Sequence, residues 1–252
     1  MKLLDKHYRN LVKEFTLSWF KLVDQRTLMG AFWGFLNPLI MTSILYFLFK
    51  GTRDFNYFLY ILIGIISWNF FCGAIQANHN VLLARADMLK NVIFPKEILI
   101  FSQSGVFICQ HILEILAVSV FLIFGKVGFS IHLIFLPLII LIEFLLILGA
   151  SLILSCVCVY ARDMVYIWSI YARMGFFLVP IFYEISSLGS NFKLIVVLNP
   201  MTHIIGFYRD ILLYHKTPNL FMLLGLIVLS CMFIVAGYKF FKLFEAKVAE
   251  KV

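Results

Sequence analysis

Long apolar stretches, each about as long as a bilayer is thick, constrain the fold of this chain more than any other feature. A hydrocarbon core of ~30 Å needs about 20 apolar residues for each spanning helix. Six stretches meet this requirement: 31–50, 57–78, 101–124, 132–159, 164–183 and 219–240. They lack the strict alternation of barrel strands, and only helices or closed barrels satisfy their backbone hydrogen bonds in lipid. The sequence therefore predicts an all-α integral membrane domain of six transmembrane helices over residues 29–252.

Basic residues outnumber acidic residues by 21 to 13, and their placement argues against a nucleic-acid partner. Fourteen of the 21 fall in segments on the same side as the N-terminus, and six fall on the other side. Lys and Arg concentrate in cytoplasmic loops of membrane proteins. We therefore predict a multi-pass protein of the cytoplasmic (inner) membrane with both termini in the cytoplasm. A content of 63% hydrophobic and 13% charged residues excludes a soluble domain.

Residues 1–28 have an amphipathic pattern that differs from the rest of the chain. Apolar residues recur there at steps of three and four, whereas Arg9, Lys13 and Lys21 occupy the opposite side. This pattern, together with Trp19, is typical of a helix that lies in the membrane interface. Packing on a partner protein is the alternative interpretation, and the two are compatible.

Two long segments, 78–97 and 184–218, separate predicted spans. Residues 78–97 form the largest predicted cytoplasmic loop, and their helix-forming composition ends at Pro95. The predicted outer segment, 184–218, contains two apolar pieces that are too short to cross a membrane. We interpret these pieces as re-entrant or interfacial helices between the fifth and sixth spans.

Motifs for catalysis or cofactor binding are missing from the sequence. Gly125-Lys126 lacks both the first glycine and the hydroxyl residue of a phosphate-binding loop. His111 and Glu114 are three residues apart, a spacing found in metal sites of helix bundles, but one such pair provides too few ligands for a metal ion. The five cysteines lie inside or at the ends of apolar stretches, where they pack. We therefore predict no catalytic residues, no metal and no cofactor on this chain.

Three ionisable residues lie about halfway along predicted spans: Glu114, Glu143 and Arg173. A charge at the centre of a spanning helix costs roughly 2.5–3.5 kcal/mol on insertion scales, so each is a candidate functional residue. One interpretation is that Arg173 neutralises one glutamate between helices. The alternatives are a water-filled substrate path and a proton relay.

The fifth stretch is unusually rich in aromatic residues around Arg173. These residues include Tyr166, Trp168, Tyr171, Phe176 and Phe177. Tyr and Trp combine a flat apolar face with a hydrogen-bonding edge, which suits contact with sugar rings. Anchoring at the membrane interface and simple packing explain the same pattern.

Short motifs along nearly the whole chain occur in the order found in one family of membrane proteins. They are Gly30-Ala-Phe-Trp-Gly-Phe-Leu-Asn-Pro38, Ile66-Ser-Trp-Asn-Phe-Phe71, Lys90-Asn-Val-Ile-Phe-Pro-Lys-Glu-Ile98, Val159-Tyr-Ala-Arg-Asp-Met-Val-Tyr166, Leu198-Asn-Pro-Met-Thr202 and Arg209. In these motifs the chain resembles the ABC-2 type permeases that export lipid-linked polysaccharides, the O-antigen and teichoic-acid transporter family.

The resemblance implies a homodimer of six-span subunits with a channel formed largely by spans 1 and 5. It also implies two copies of a separate nucleotide-binding ATPase, which would carry ATP and Mg²⁺. A coupling helix at about 80–97 would dock on that ATPase through Arg85, Asp87, Lys90, Phe94, Pro95, Lys96 and Glu97. The channel residues would be Trp33, Tyr166, Trp168, Tyr171, Arg173, Phe176 and Phe177.

The sequence thus predicts a non-hydrolytic permease subunit of an exporter of lipid-linked polysaccharide such as O-antigen. A teichoic-acid or capsule exporter, or an ABC-2 exporter of drugs or small lipids, would differ mainly in substrate. A secondary transporter or scramblase would use Glu114 and Glu143 for proton coupling. A membrane-embedded lipid-modifying enzyme is the remaining alternative.

Overall fold

The computed structural model describes residues 6–25, 31–49, 54–85, 87–88 and 94–251, with side chains described over 6–22, 34–49 and, within the later ranges, to residue 245. The described residues form helices joined by turns and short irregular segments. The helices are α1 (Lys6–Gln25), α2 (Ala31–Phe49), α3 (Phe55–His79), α4 (Val81–Ala84), α5 (Glu97–Phe124), α6 (Leu136–Tyr160), α7 (Met164–Leu178), α8 (Ser190–Leu198), α9 (Pro200–Leu212) and α10 (Leu220–Lys251). Short 3₁₀ turns precede α6 at Ile131–Phe135 and lie at Ile185–Ser187.

Four of the six predicted spans correspond to helices long and apolar enough to cross a membrane. These segments are Phe55–His79, Glu97–Phe124, Ile131–Tyr160 and Leu220–Glu245. The other two predicted spans correspond to the shorter apolar helices α2 and α7. An integral membrane protein with several apolar helices is confirmed.

The fifth span is shorter than predicted. We expected it to reach residue 183, but α7 ends at Leu178. Pro180 lacks a backbone N–H and disfavours the helical conformation of the preceding residue, and Val179 is indeed extended, with φ −102° and ψ 141°. The chain therefore leaves the helix two residues before the proline.

Helix α3 lies at the centre of the bundle. In its most apolar 18-residue window 78% of the residues are buried, compared with 22–39% for the other three long spans. Leu59, Ile61 and Leu62 are fully enclosed by the neighbouring helices. Helices α2, α5, α6, α7 and α9 all pack against α3, so it positions most of the other elements.

Helices α6 and α10 pack along each other with their backbones in contact. A Cβ atom added to Gly149 would lie 2.6 Å from the carbonyl carbon of Phe233, and one added to Gly237 would lie 3.0 Å from the Cα of Gly149. Only glycine permits this approach, as in the small-residue contacts of membrane helix pairs. The sequence analysis missed this glycine pair, which is separated by 88 residues.

Helix α1 packs on the first half of α5. The hydroxyl of Thr16 donates to the carbonyl of Val12 at 2.7 Å and lies where a side chain at residue 105 would stand. Tyr8 and Trp19 are buried, at 7% and 6% exposure. The predicted amphipathic helix is therefore present, and part of its apolar face is covered by the bundle itself.

Candidate functional site

The predicted coupling segment lies against α1 and α10. Phe94 packs against Phe15, with ring centroids 6.2 Å apart. The guanidinium of Arg85 lies 4.6 Å from the centre of the Trp19 ring, a cation–π distance. Asp87 is exposed, and Lys90 lies outside the described residues. Helix α1 therefore supports this segment from one side.

A network of charges joins the end of the segment to α10. Glu97 is 2% exposed, and its Oε1 lies 2.8 Å from the Nζ of Lys242. The same Nζ lies 2.8 Å from Glu245, which also accepts a 3.4 Å bond from the backbone N–H of Lys96. Pro95 and Lys96 are half-buried beside this network. The network fixes where the segment emerges from the bundle.

Tyr8 of α1 interacts electrostatically with this network. Burial and the neighbouring Glu97 carboxylate raise the pKa of the Tyr8 phenol well above its ordinary value. The phenol is therefore protonated at any physiological pH and can act only as a neutral group there.

The predicted channel residues divide between two faces of α7. Tyr166, Arg173 and Phe177 lie on its exposed face. Tyr171 is two residues from Arg173 and therefore points to another side of the helix, where its ring centroid lies 5.0 Å from that of Trp168. Trp168 and Phe176 turn toward the bundle and are half-buried. The side chain of Trp33 lies outside the described side chains.

The indole of Trp168 donates to the carbonyl of Cys72 on α3 at 3.3 Å, and the indole of Trp68 donates back to that of Ala172 at 3.2 Å. A Cβ added to Gly175 would lie 2.6 Å from the Trp68 ring, so this glycine admits the indole between α3 and α7. These contacts hold α7 in a fixed rotation with its aromatic face outward.

Arg173 does not neutralise Glu114 or Glu143 within this chain, contrary to one sequence-based interpretation. Its guanidinium bonds the preceding helical turn, with Nε donating to the carbonyl of Ser169 at 3.2 Å. Among the described side chains, no carboxylate lies within ion-pair distance of it. Arg173 points away from the bundle because it lies on the exposed face of α7, whereas Glu143 points inward.

Glu143 is completely buried and is satisfied by neutral donors instead. The hydroxyl of Ser67 donates to its Oε1 at 3.0 Å, and that of Tyr208 donates to its Oε2 at 2.8 Å. The Nε2 of His111 lies 3.1 Å from the oxygen of Tyr208. This network connects α3, α5, α6 and α9 in the middle of the bundle.

Glu114 lies at the edge of that network and lines a polar cavity. Its Oε2 is 3.7 Å from the Nδ1 of His111, and its side chain is 16% exposed. The cavity, about 310 Å³ in volume, lies between α2, α3 and α5, is open on one side, and includes the amides of Asn37, Asn69 and Gln110. The structure therefore brings Glu114 and Glu143 close to the same histidine.

The segment after α7, predicted to lie on the outer side, is held by side chains whose role the sequence analysis did not identify. Arg209, 4% exposed, donates to the carbonyls of Pro180 at 2.7 Å, Ile181 at 2.9 Å and Tyr60 at 3.0 Å. The hydroxyl of Tyr57 donates to Phe182 at 2.5 Å, and that of Tyr60 donates to Tyr183 at 2.8 Å.

Four consecutive carbonyls after α7 are therefore satisfied although this stretch is not helical, which irregular backbone in a membrane protein requires. Gly64 leaves the space for the guanidinium, because a Cβ there would lie 2.7 Å from Nη2 of Arg209. The sequence signal that could have indicated this role is the single arginine within the mainly apolar residues 201–214.

Metal chemistry has no visible site in the described part of the chain. Over those residues, no group of three or more His, Cys, Asp or Glu side chains is arranged to hold a metal ion.

Comparison with known proteins gives a consistent result. A sequence model of the family described as "ABC-2 type transporter" matches residues 13–213. The chain is 25% identical over 253 residues to the O-antigen export system permease protein RfbA of Myxococcus xanthus, covering 97% of this chain and 96% of the relative. It is 25% identical over 195 residues to a protein of the same name from Klebsiella pneumoniae, covering 76% of this chain and 75% of the relative.

Proposed function

The chain belongs to the ABC-2 type transporter family, and we propose that it is the permease subunit of an ATP-driven exporter of lipid-linked O-antigen polysaccharide. The names of its relatives from M. xanthus and K. pneumoniae support this substrate class. The subunit is non-hydrolytic and lies in the inner membrane, with both termini in the cytoplasm. ATP and Mg²⁺ belong to a separate ATPase, two copies of which bind the coupling segment at about 80–97.

The exposed position of Arg173 is the observation that carries the proposal furthest. Arg173 lies in the middle of an apolar helix, on a face it shares with Tyr166 and Phe177. A charge facing lipid at that depth costs about 2.5–3.5 kcal/mol or more. This face therefore borders water or another subunit, which fits a channel between two copies of the chain.

In this arrangement α2 and α7 complete a set of six spans. Helix α2 has 19 residues and is about 28 Å long at ~1.5 Å per residue, close to the thickness of a hydrocarbon core. Helix α7 has 15 residues and continues as extended chain. Helices α8 and α9 are re-entrant in this proposal, because Pro200 at the start of α9 lines a cavity with Leu146 and Trp168.

Transport in inverted inner-membrane vesicles tests the proposal. We expect vesicles that contain this chain and its partner ATPase to import lipid-linked O-antigen on addition of ATP. Transport should stop when the partner's catalytic glutamate is changed. Transport that persists without ATP and requires a proton gradient would contradict the proposal and favour the secondary transporter, for which the connected Glu114, His111 and Glu143 side chains provide a relay.

The same assay distinguishes the remaining substrates. Import of teichoic acid or capsule polysaccharide in place of O-antigen would retain the family assignment and change the substrate. Import of a drug or small lipid without glycan would also retain the family assignment and change the substrate. Chemical modification of the lipid during incubation would indicate the lipid-modifying enzyme.

A further inference from the structure

We propose that the cavity between α2, α3 and α5 binds a single sugar unit through a pair of adjacent hydroxyl groups. This inference rests on the proposed function, but the cavity is distinct from the exposed face of α7. It lies within one chain, and Gly34 and Asn37 of α2 stand at its exposed edge. Its volume of about 310 Å³ is at the lower end of the ~300–1,000 Å³ range of small-molecule pockets.

The hydrogen-bond directions around His111 leave its Nδ1 as an acceptor without a donor. Tyr208 gives its only hydroxyl proton to Glu143, so the contact between Tyr208 and Nε2 of His111 requires Nε2–H to donate. In a neutral imidazole Nδ1 is then an acceptor, and it is buried without a hydrogen-bond partner. The nearest polar atom, Oε2 of Glu114, is a second acceptor at 3.7 Å.

Two acceptors that face each other at this distance need donors, which either water or a ligand with hydroxyl groups can supply. Two neighbouring hydroxyl groups of a sugar ring supply one proton to each acceptor and keep their oxygens free to accept. The amides of Asn37, Asn69 and Gln110 provide donors and acceptors around the rest of the cavity, which matches groups that both donate and accept. Phe107 adds an apolar ring to the same wall.

The lining disfavours other ligand classes. Its charged member is a carboxylate and no lysine or arginine is among the described residues that line it, so a phosphate or pyrophosphate would be repelled. An ammonium group could donate to the acceptors, but, unlike a hydroxyl, it could not accept from the three amide NH₂ groups. The stacking of Phe70 on the His111 ring, with centroids 4.2 Å apart, fixes the imidazole in place before a ligand arrives.

Photo-crosslinking in intact cells that export the glycan tests the inference. A benzophenone amino acid replaces Phe107 in one variant, Tyr166 on the exposed face of α7 in a second, and Phe221, which is 82% exposed at the start of α10, in a control. After irradiation the purified chain is stained for periodate-reactive polysaccharide. The probe is the polysaccharide of the cell itself, visible as a ladder above the 29.2 kDa protein band.

We expect polysaccharide adducts at Phe107 and at Tyr166, and none at Phe221. A cavity filled only by water would give adducts at Tyr166 alone. That result would overturn the sugar site and leave the proposed function intact. Adducts at neither position would count against both.

A variant that narrows the cavity, at a position where the added side chain meets no atom of the same chain, provides a second measurement. A Cβ added to Gly34 meets no atom within 4 Å, so Gly34→Val projects into open space. Gly225 in α10 has the same clearance and serves as the matched control. Gly34→Val should reduce the Phe107 adduct at least fivefold and leave the Tyr166 adduct unchanged, whereas Gly225→Val should alter neither. An unchanged Phe107 adduct in Gly34→Val would contradict the proposed site.

Discussion

At the scale of single residues, Arg209 shows how this fold satisfies a buried cation without an acid. Its guanidinium bonds three backbone carbonyls and lies 3.4 Å from the centre of the Tyr60 ring. The planar array of five donors in arginine suits several acceptors at once, whereas lysine offers a single point charge. The arginine therefore connects α3, α9 and the chain after α7.

Arg209→Lys should destabilise the protein although it preserves the charge. At least one of the three carbonyls loses its donor while it stays buried, at a cost of about 1–3 kcal/mol. Thermal unfolding in detergent should show a lower midpoint for this variant. Lys193→Gln, an exposed change on α8, is the control and should leave the midpoint unchanged. Equal midpoints for Arg209→Lys and the original chain would contradict the role assigned to the guanidinium.

Glu97 and Lys242 provide a second test at this scale. Glu97→Lys should place two cations together near α10, and Lys242→Glu should place three carboxylates together, so each single change is expected to weaken the chain. The double change restores opposite charges at the two positions and should recover most of the lost stability and export. A double-mutant cycle on thermal unfolding measures the coupling. A double variant as weak as the sum of the two single variants would mean that the pair does not act as a unit.

At the scale of elements, helix positions followed from hydropathy, but their contacts did not. The apolar stretches predicted α2, α3, α5, α6, α7 and α10 because lipid requires long apolar helices. The early end of α7 depends on Pro180 together with the side chains that satisfy the backbone beyond it. That end could not be predicted because Arg209, Tyr57 and Tyr60 are distant in sequence from the carbonyls that they bond.

The contact between α6 and α10 leads to a prediction at the same scale. Gly149→Leu should separate the two helices, because any Cβ there overlaps the backbone near Phe233. We expect little folded protein after extraction, measured as the monodisperse fraction on gel filtration. Gly225→Leu, which adds the same side chain to α10 in open space, should fold normally. Comparable yields for the two variants would show that folding does not require the close contact between α6 and α10 at Gly149.

At the scale of the whole molecule, the sequence predicted which residues of the candidate site are unusual. It did not predict toward which side of the bundle their side chains point. The sequence identified Glu114, Glu143 and Arg173 as unusual because a charge in an apolar helix is visible in any hydropathy pattern. It could not tell that Glu143 meets Ser67 and Tyr208 while Arg173 faces outward. Direction depends on the rotation of each helix, which distant contacts such as Trp168 with Cys72 determine.

The orientation of α7 toward water rather than lipid can be tested with two equally exposed apolar positions. Ile170 on α7 is 54% exposed in the single chain, and Val228 on α10 is 58% exposed. Ile170 follows Tyr166 by one helical turn and precedes Arg173 by three residues, so a channel along this face would hydrate it. Val228 belongs to a face that borders lipid in the proposed arrangement.

In a background without the five native cysteines, Ile170→Cys should react with a hydrophilic maleimide at least tenfold faster than Val228→Cys. The physical reason is that the thiolate, which is the reactive form, exists only where water reaches the sulfur. Mass spectrometry of the intact chain measures both rates in the same membranes. Equal, slow labelling at the two positions would place the α7 face in lipid, and the cost of Arg173 there would then need another explanation.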